Sequence, residues 1–244
     1  MLKLHPIDKQ PVSKNSCNIP NFDFNSLRET GSLIDSLKNH GIFVLSNLFT
    51  NQALDLLENE FDLLFSQRQN SIEIDDSEGC SKDLRIHHAE ENSPLLQETF
   101  CNNILFNNVC ETYTGKLGKR KTLINYLKHK LGEVRNSGAG WHRDNHYCQF
   151  KVIMYLTDVS IDNGNFQWLT NSSKHHIGYP TPRTNDYNTR FDDLIINDLV
   201  NNRGCKIENI TGKRGTIIFA DTTYIHRGNI IYNGERKAIT QYFF

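Results

Sequence analysis

The chain has 244 residues, enough for one large β-barrel domain or two small ones. Its 27 Lys and Arg against 28 Asp and Glu leave a formal net charge of −1, so nothing electrostatic favours nucleic acid or an anionic membrane as partner. Six scattered cysteines without a C-x-x-C pair read as reduced thiols rather than a disulfide framework or a zinc site; with no apolar run of signal-peptide or membrane-spanning length, a soluble cytoplasmic protein is expected, monomeric or homodimeric.

Residues 1–22 carry Pro6, Pro11 and Pro20 with little periodicity and read as an irregular arm. Residues 23–120 read as mainly helical support. Leu27, Ile34 and Leu37 recur at near-helical spacing between Phe24 and Asn39, and His40-Gly41 closes that segment as a C-cap would. Ile42 to Leu45 is a short apolar strand. Thr50 can cap a helix reaching Gln67, with Leu54, Leu57, Phe61, Leu64 and Phe65 as its buried stripe. The acidic stretch Asn70 to Asp83 reads as a loop. Ser93-Pro94 opens another helix, because proline at the first helical position loses no hydrogen bond.

From Lys121 onward short strands alternate with Gly, Asn and Asp turns. Strands are expected near Leu123–Lys130, Gly140–Asn145, Phe150–Thr157, Phe166–Leu169, Cys205–Glu208, Thr216–Phe219, Tyr224–Gly228 and Lys237–Phe243. Eight strands after a helical half suggest one α+β domain, its barrel spanning 121–244 with helices packed on it. Residues 175–204 form a long insertion with a helix from Asp192 to Asn201; Tyr179, Arg183, Tyr187 and Arg190 would give a lid polar and aromatic tips.

The chemistry centres on Trp141-His142-Arg143-Asp144. On a strand, residues two apart share a face, so His142 and Asp144 would aim an imidazole and a carboxylate at one point. His226 is the candidate third ligand. Two histidines and one carboxylate with open positions describe a non-haem Fe(II) oxygenase site. Arg236 lies ten residues further on, spaced for the next strand of a hairpin, and its planar fork suits the free carboxylate of a dicarboxylic co-substrate. Gln149 and Lys151 share one strand face opposite Val152, Met154 and Leu156; an inward Lys151 would need an anion beside it. His146 would face the same way as His142 and Asp144. Gln167 is expected to look inward and Trp168 outward, which makes His146, Gln167, Arg183 and Tyr187 candidate substrate contacts.

His142-x-Asp144, His226 and Arg236 in this order resemble the phytanoyl-CoA dioxygenase family of Fe(II)- and 2-oxoglutarate-dependent oxygenases. The stretches His40–Phe49, Leu156–Val159 and Asn163–Gln167 agree with it, and the resemblance runs from about residue 38 to 244. Asn171-Ser172-Ser173-Lys174-His175 departs from the Gly-Ser-His that members often carry there. The resemblance implies a double-stranded β-helix, a jelly-roll or cupin-like barrel. It implies Fe(II) on His142, Asp144 and His226, and 2-oxoglutarate on Arg236 with Lys151 and Gln149 nearby. The reaction implied is hydroxylation by O2 of a small polar metabolite or its conjugate, with succinate and CO2 as co-products and ascorbate as a protectant. Desaturation, epimerisation or cyclisation with the same cofactors stays open, as does a cupin-like barrel that binds metal or ligand without O2 chemistry.

Overall fold

The structure is a computed structural model and describes residue 19 and residues 21–26, 31–67, 73–74, 82–129, 140–145, 149–173 and 189–244. Its N-terminal half runs β1 (Asn21–Asp23), α1 (Gly31–His40), β2 (Ile42–Ser46), α2 (Asn51–Gln67), β3 (Glu73–Ile74) and β4 (Lys82–His87). α3 (Pro94–Leu96) continues into a π-helical turn over Gln97–Cys101, and α4 (Ile104–Thr114) follows. The C-terminal half contains β5 (Arg120–Lys128), β6 (Phe150–Tyr155), β7 (Phe166–Leu169), α5 (Asp193–Asn202), β8 (Ile207–Ile210), β9 (Ile217–Asp221), β10 (His226–Gly228) and β11 (Glu235–Phe243).

Helix ends follow local chemistry. Thr50 Oγ1 accepts the Ala53 N–H at 3.2 Å, Ser93 Oγ that of Leu96 at 3.1 Å and Asp192 Oδ1 that of Ile195 at 2.9 Å, so the first turns of α2, α3 and α5 are capped as N-cap chemistry requires. α1 stops at Gly41, where φ is +71° and the N–H reaches the Leu37 carbonyl at 2.7 Å. A Cβ there would stand 2.3 Å from the Tyr224 ring, so conformation and space both demand glycine.

The strands form an eight-stranded sheet, β1-β2-β9-β6-β11-β5-β4-β3, facing a three-stranded sheet, β10-β7-β8. The period of two then divides each strand between two environments. On the large sheet Phe43, Leu45, Ile124, Val152, Met154, Phe219 and Ile239 point away from the small sheet. They pack against Leu33 and Leu37 of α1, Leu54, Leu57, Phe61 and Leu64 of α2, and Phe106 and Val109 of α4. The alternate residues Ile42, Val44, Tyr155, Ile218, Ala220 and Ala238 face Phe166, Trp168 and Ile210 of the small sheet. α5 covers the outer face of the small sheet, where Ile196 and Leu199 meet Trp141, Leu169 and Ile225. A buried Leu, Ile or Phe is worth about 1.5–3 kcal/mol, so the helix-facing cluster carries most of the apolar stabilisation.

Several expectations change. The half expected as mainly helical also supplies β1 to β4 to the large sheet. The loop reading of Asn70 to Asp83 is overturned at β3, which pairs with Leu84 and Arg85 of β4, and at Lys82 and Asp83, which pair with β5. β4 was hidden because Lys82-Asp83-Leu84-Arg85-Ile86-His87 has only Leu84 and Ile86 as apolar residues, too short an alternation to stand out. Gly140–Asn145 is not a full strand; pairing is limited to bridges from His142 to Arg190 and to His226. β10 and β11 lie in different sheets, so Arg236 does not sit on a hairpin partner of the His226 strand. The proposed lid residues Tyr179, Arg183 and Tyr187, and also His146, lie outside the described residues.

Candidate active site

His142 and His226 face one another as an antiparallel bridge. Each backbone N–H donates to the other's carbonyl at 2.9 Å, which puts both side chains on one face of the sheet, and the ring centroids are 4.5 Å apart. Asp144 is held by its own N–H donating to the Thr222 carbonyl at 3.0 Å. The pairing of 140–145 against β10 and the turn before it, rather than a continuous strand, is therefore what gathers the three residues.

Ring orientation is fixed from behind. His142 Nδ1 lies 2.8 Å from the Gly140 carbonyl and His226 Nδ1 lies 2.9 Å from the Tyr224 carbonyl, so both rings hold Nδ1–H and turn Nε2 toward the cavity. His142 Nε2 stands 3.7 Å from Asp144 Oδ1 and His226 Nε2 stands 3.6 Å from Asp144 Oδ2. The three ligand atoms all lie within 4.8 Å of one another. Burial pushes the His226 imidazole down to about 3 and lowers that of His142, so both are neutral lone-pair donors at neutral pH. Burial alone would raise the Asp144 carboxyl, but Lys151 first and the two histidines after it hold it well below the usual carboxylate range. Two neutral imidazoles and one ionised carboxylate fit a divalent first-row cation. Ligand atoms about 2.1 Å from such an ion and at right angles lie about 3 Å apart, so the three atoms would draw closer together on taking up an ion.

Lys151 points inward, on the cavity side of β6. Its Nζ sits 2.6 Å from Asp144 Oδ2 and 4.4 Å from the centre of the Tyr242 ring. Burial works against its charge, yet Asp144 and then Tyr242 outweigh burial and raise its pKa. Gln149 contributes through its backbone: its carbonyl accepts the N–H and the hydroxyl of Thr222, at 2.9 and 2.8 Å. Gln149 does not line the cavity.

The cavity has a volume of about 370 Å³, and its walls include the three candidate ligands, Lys151, Tyr155, Phe166, Arg190, Arg236 and Tyr242. At its far end Arg236 donates from Nη2 to Asn125 Oδ1 at 2.9 Å and from Nη1 to the Gly164 carbonyl. Gly164 has φ +73°, and a Cβ on it would come within 2.8 Å of the Leu127 side chain. The inward reading of Gln167 is reversed. Register pairs Trp168 with His226 and Gln167 with Arg227, so Trp168 faces the interior while Gln167 lies on the opposite face, accepting from Arg227 Nε at 2.6 Å and donating to Asn209 at 2.8 Å. Sequence reasoning missed Asp83, Arg85, Asn125 and Tyr242 as cavity residues. The alternation in 82–87 and in 236–242 was the available signal.

No protein-family model matches the chain, and no curated protein matches its sequence. Solved structures do match. The non-heme alpha ketoglutarate dependent epimerase SnoN from nogalamycin biosynthesis superposes with a TM-score of 0.68 at 13% identity, covering 87% of this chain and 82% of SnoN. EctD from S. alaskensis, solved with 2-oxoglutarate and 5-hydroxyectoine, gives 0.67 at 18% identity over 90% of this chain and 77% of EctD. HygX from Streptomyces hygroscopicus, solved with nickel, 2-oxoglutarate and hygromycin B, gives 0.62 at 11% over 89% and 87%. At these identities the likeness is one of fold: the architecture is the double-stranded β-helix with helices packed against it.

Proposed function

We propose that the chain is an Fe(II)- and 2-oxoglutarate-dependent oxygenase, of the phytanoyl-CoA dioxygenase type, that hydroxylates a small polar metabolite or its conjugate. The observation that carries this reading is the convergence of His142 Nε2, His226 Nε2 and an Asp144 oxygen on one wall of a cavity whose far end holds Arg236. Iron and 2-oxoglutarate would supply the oxidising chemistry, in which O2 converts the co-substrate to succinate and CO2 and one oxygen atom goes to a substrate C–H bond.

The chain's own residues supply position and charge. The Gly140 and Tyr224 carbonyls fix the imidazoles, and Lys151 steadies the Asp144 carboxylate from the cavity side of β6. Arg236 offers its fork to the distal carboxylate of 2-oxoglutarate. Phe166, beside His226 and backed by the buried Trp168, gives that wall of the site an apolar surface.

A second outcome with the same cofactors is favoured by the neighbours themselves, which include the epimerase SnoN and the carbocyclase SnoK. Both outcomes begin with co-substrate binding, so one experiment tests what they share. Anaerobic addition of 2-oxoglutarate to Fe(II)-loaded protein should produce a weak visible charge-transfer band, absent in His142→Ala. Protein that holds iron but gives no band would point instead to a barrel that binds metal or ligand without O2 chemistry. With the band established, product analysis against candidate substrates, with ascorbate as protectant, separates hydroxylation from epimerisation and ring closure.

A further inference from the structure

We infer that Asp83, on β4, is a positioning residue for the co-substrate: by setting the Asn125 amide it holds Arg236 in the orientation that meets the distal carboxylate. The inference rests on the function proposed above. β4 packs beside β5 and sends Asp83 and Arg85 to the cavity side while Ile86 joins the helix-facing core. Asp83 is 3% exposed, and its carboxylate is fully engaged in building this end of the pocket. Arg85 donates to it twice, from Nε at 3.1 Å and from Nη2 at 2.7 Å, and Asn125 donates to its Oδ1 through Nδ2.

The amide of Asn125 is the link. Its two ends are nearly equal in size, but one donates and the other accepts. An ionised Asp83 accepts only, so it draws Nδ2 to itself and turns Oδ1 toward Arg236, whose Nη2 donates to it at 2.9 Å. The opposite flip would set carbonyl against carboxylate and amide N–H against guanidinium, two repulsive contacts in place of two hydrogen bonds. Charge acts in the same direction. Arg85 and Arg236 are close enough to oppose one another's ionisation, and Asp83 offsets them. Arg236 Nε is buried without a hydrogen-bond partner among the described residues, as expected of a fork whose remaining donors await an anion.

The test is calorimetric titration of Mn(II)-loaded, full-length protein with 2-oxoglutarate, alongside melting curves and co-substrate kinetics. Asp83→Ala should weaken binding about tenfold or more, the scale of one hydrogen bond to a charged group. It should raise the 2-oxoglutarate KM while kcat recovers at saturation. Asn125→Asp, which puts a competing carboxylate against Arg236, should weaken binding in the same direction and serves should Asp83→Ala not fold. In an Arg236→Gln background, Asp83→Ala should cost no further affinity, because both changes remove the same interaction. Wild-type affinity in either single variant, or a fully additive loss in the double variant, would overturn the inference. Wild-type protein that fails to bind 2-oxoglutarate would overturn the function proposed above, and this inference with it.

Discussion

Lys151→Met isolates how the metal-free site stays folded. Lys151 Nζ lies 2.6 Å from Asp144 Oδ2, and among the described residues the other groups paired with that carboxylate are the two histidines. Methionine keeps most of the side-chain volume and removes the charge. Breaking a buried ion pair by deleting one partner costs about 3–5 kcal/mol, and about 2–4 °C of melting temperature is lost per kcal/mol in a domain of this size. The metal-free variant should therefore melt about 6–20 °C below metal-free wild type. Asp144 can escape part of the penalty by taking up a proton, so the deficit should narrow toward pH 5. A saturating divalent cation supplies the missing positive charge and binds only the folded state, so the gap should close on adding Mn(II). Melting curves of both proteins with EDTA and with Mn(II) read this directly. A metal-free deficit under about 2 °C, or an equal deficit with and without metal, would refute the reasoning.

Three other outcomes are expected. His226 is held at about 3 by burial and His142 is lowered too, so the unfolded chain binds more protons than the native one below the ordinary histidine range. Stability of the metal-free protein should thus be complete above about pH 6.5 and fall with decreasing pH, by up to about 1.4 kcal/mol per unit for each such group; chemical denaturation at stepped pH would show a flat profile if the histidines were not buried neutral. Gly164→Ala forces a side chain onto a positive φ and against Leu127, and should cost about 1–3 kcal/mol, read from urea midpoints; an unchanged midpoint would show that the turn relaxes freely. Arg236→Gln should raise the 2-oxoglutarate requirement at least tenfold with a smaller effect on kcat, and an unchanged KM would remove Arg236 from the co-substrate pocket.

How much of this could be read from the chain depends on what each residue's neighbours contribute. The α2 cap at Thr50, the α1 stop at Gly41 and the Ser93-Pro94 start are set by residues within a turn of one another, and the structure has them where the pattern put them. The spacing of His142, Asp144 and His226 was legible, although the grouping depends on a backbone bridge that no local pattern encodes. On β6, alternation separated Lys151 from Val152 and Met154, but not which side was inside. In most half-buried strands the apolar side faces the interior; here the helices take the apolar side, and the cavity takes the lysine. The same ambiguity reversed Gln167 and Trp168, since the outer face of the small sheet is itself covered by α5 and can bury a polar residue. β4 escaped notice because its pairing partner, β5, lies more than thirty residues further along the chain.

The separation of the helix-facing core from the cavity has an evolutionary corollary. Along β4, β5, β6 and β11, successive positions answer to different selection: one set to the persistence of the fold, the alternate set to the ligand. Tolerance to substitution should rise and fall with a period of two along these strands, and, apart from charged members such as Lys151 whose partners are buried with them, the cavity-facing register can drift toward new chemistry without eroding the scaffold. A lineage built on this sheet can diversify what it acts upon while keeping nearly the same margin against unfolding.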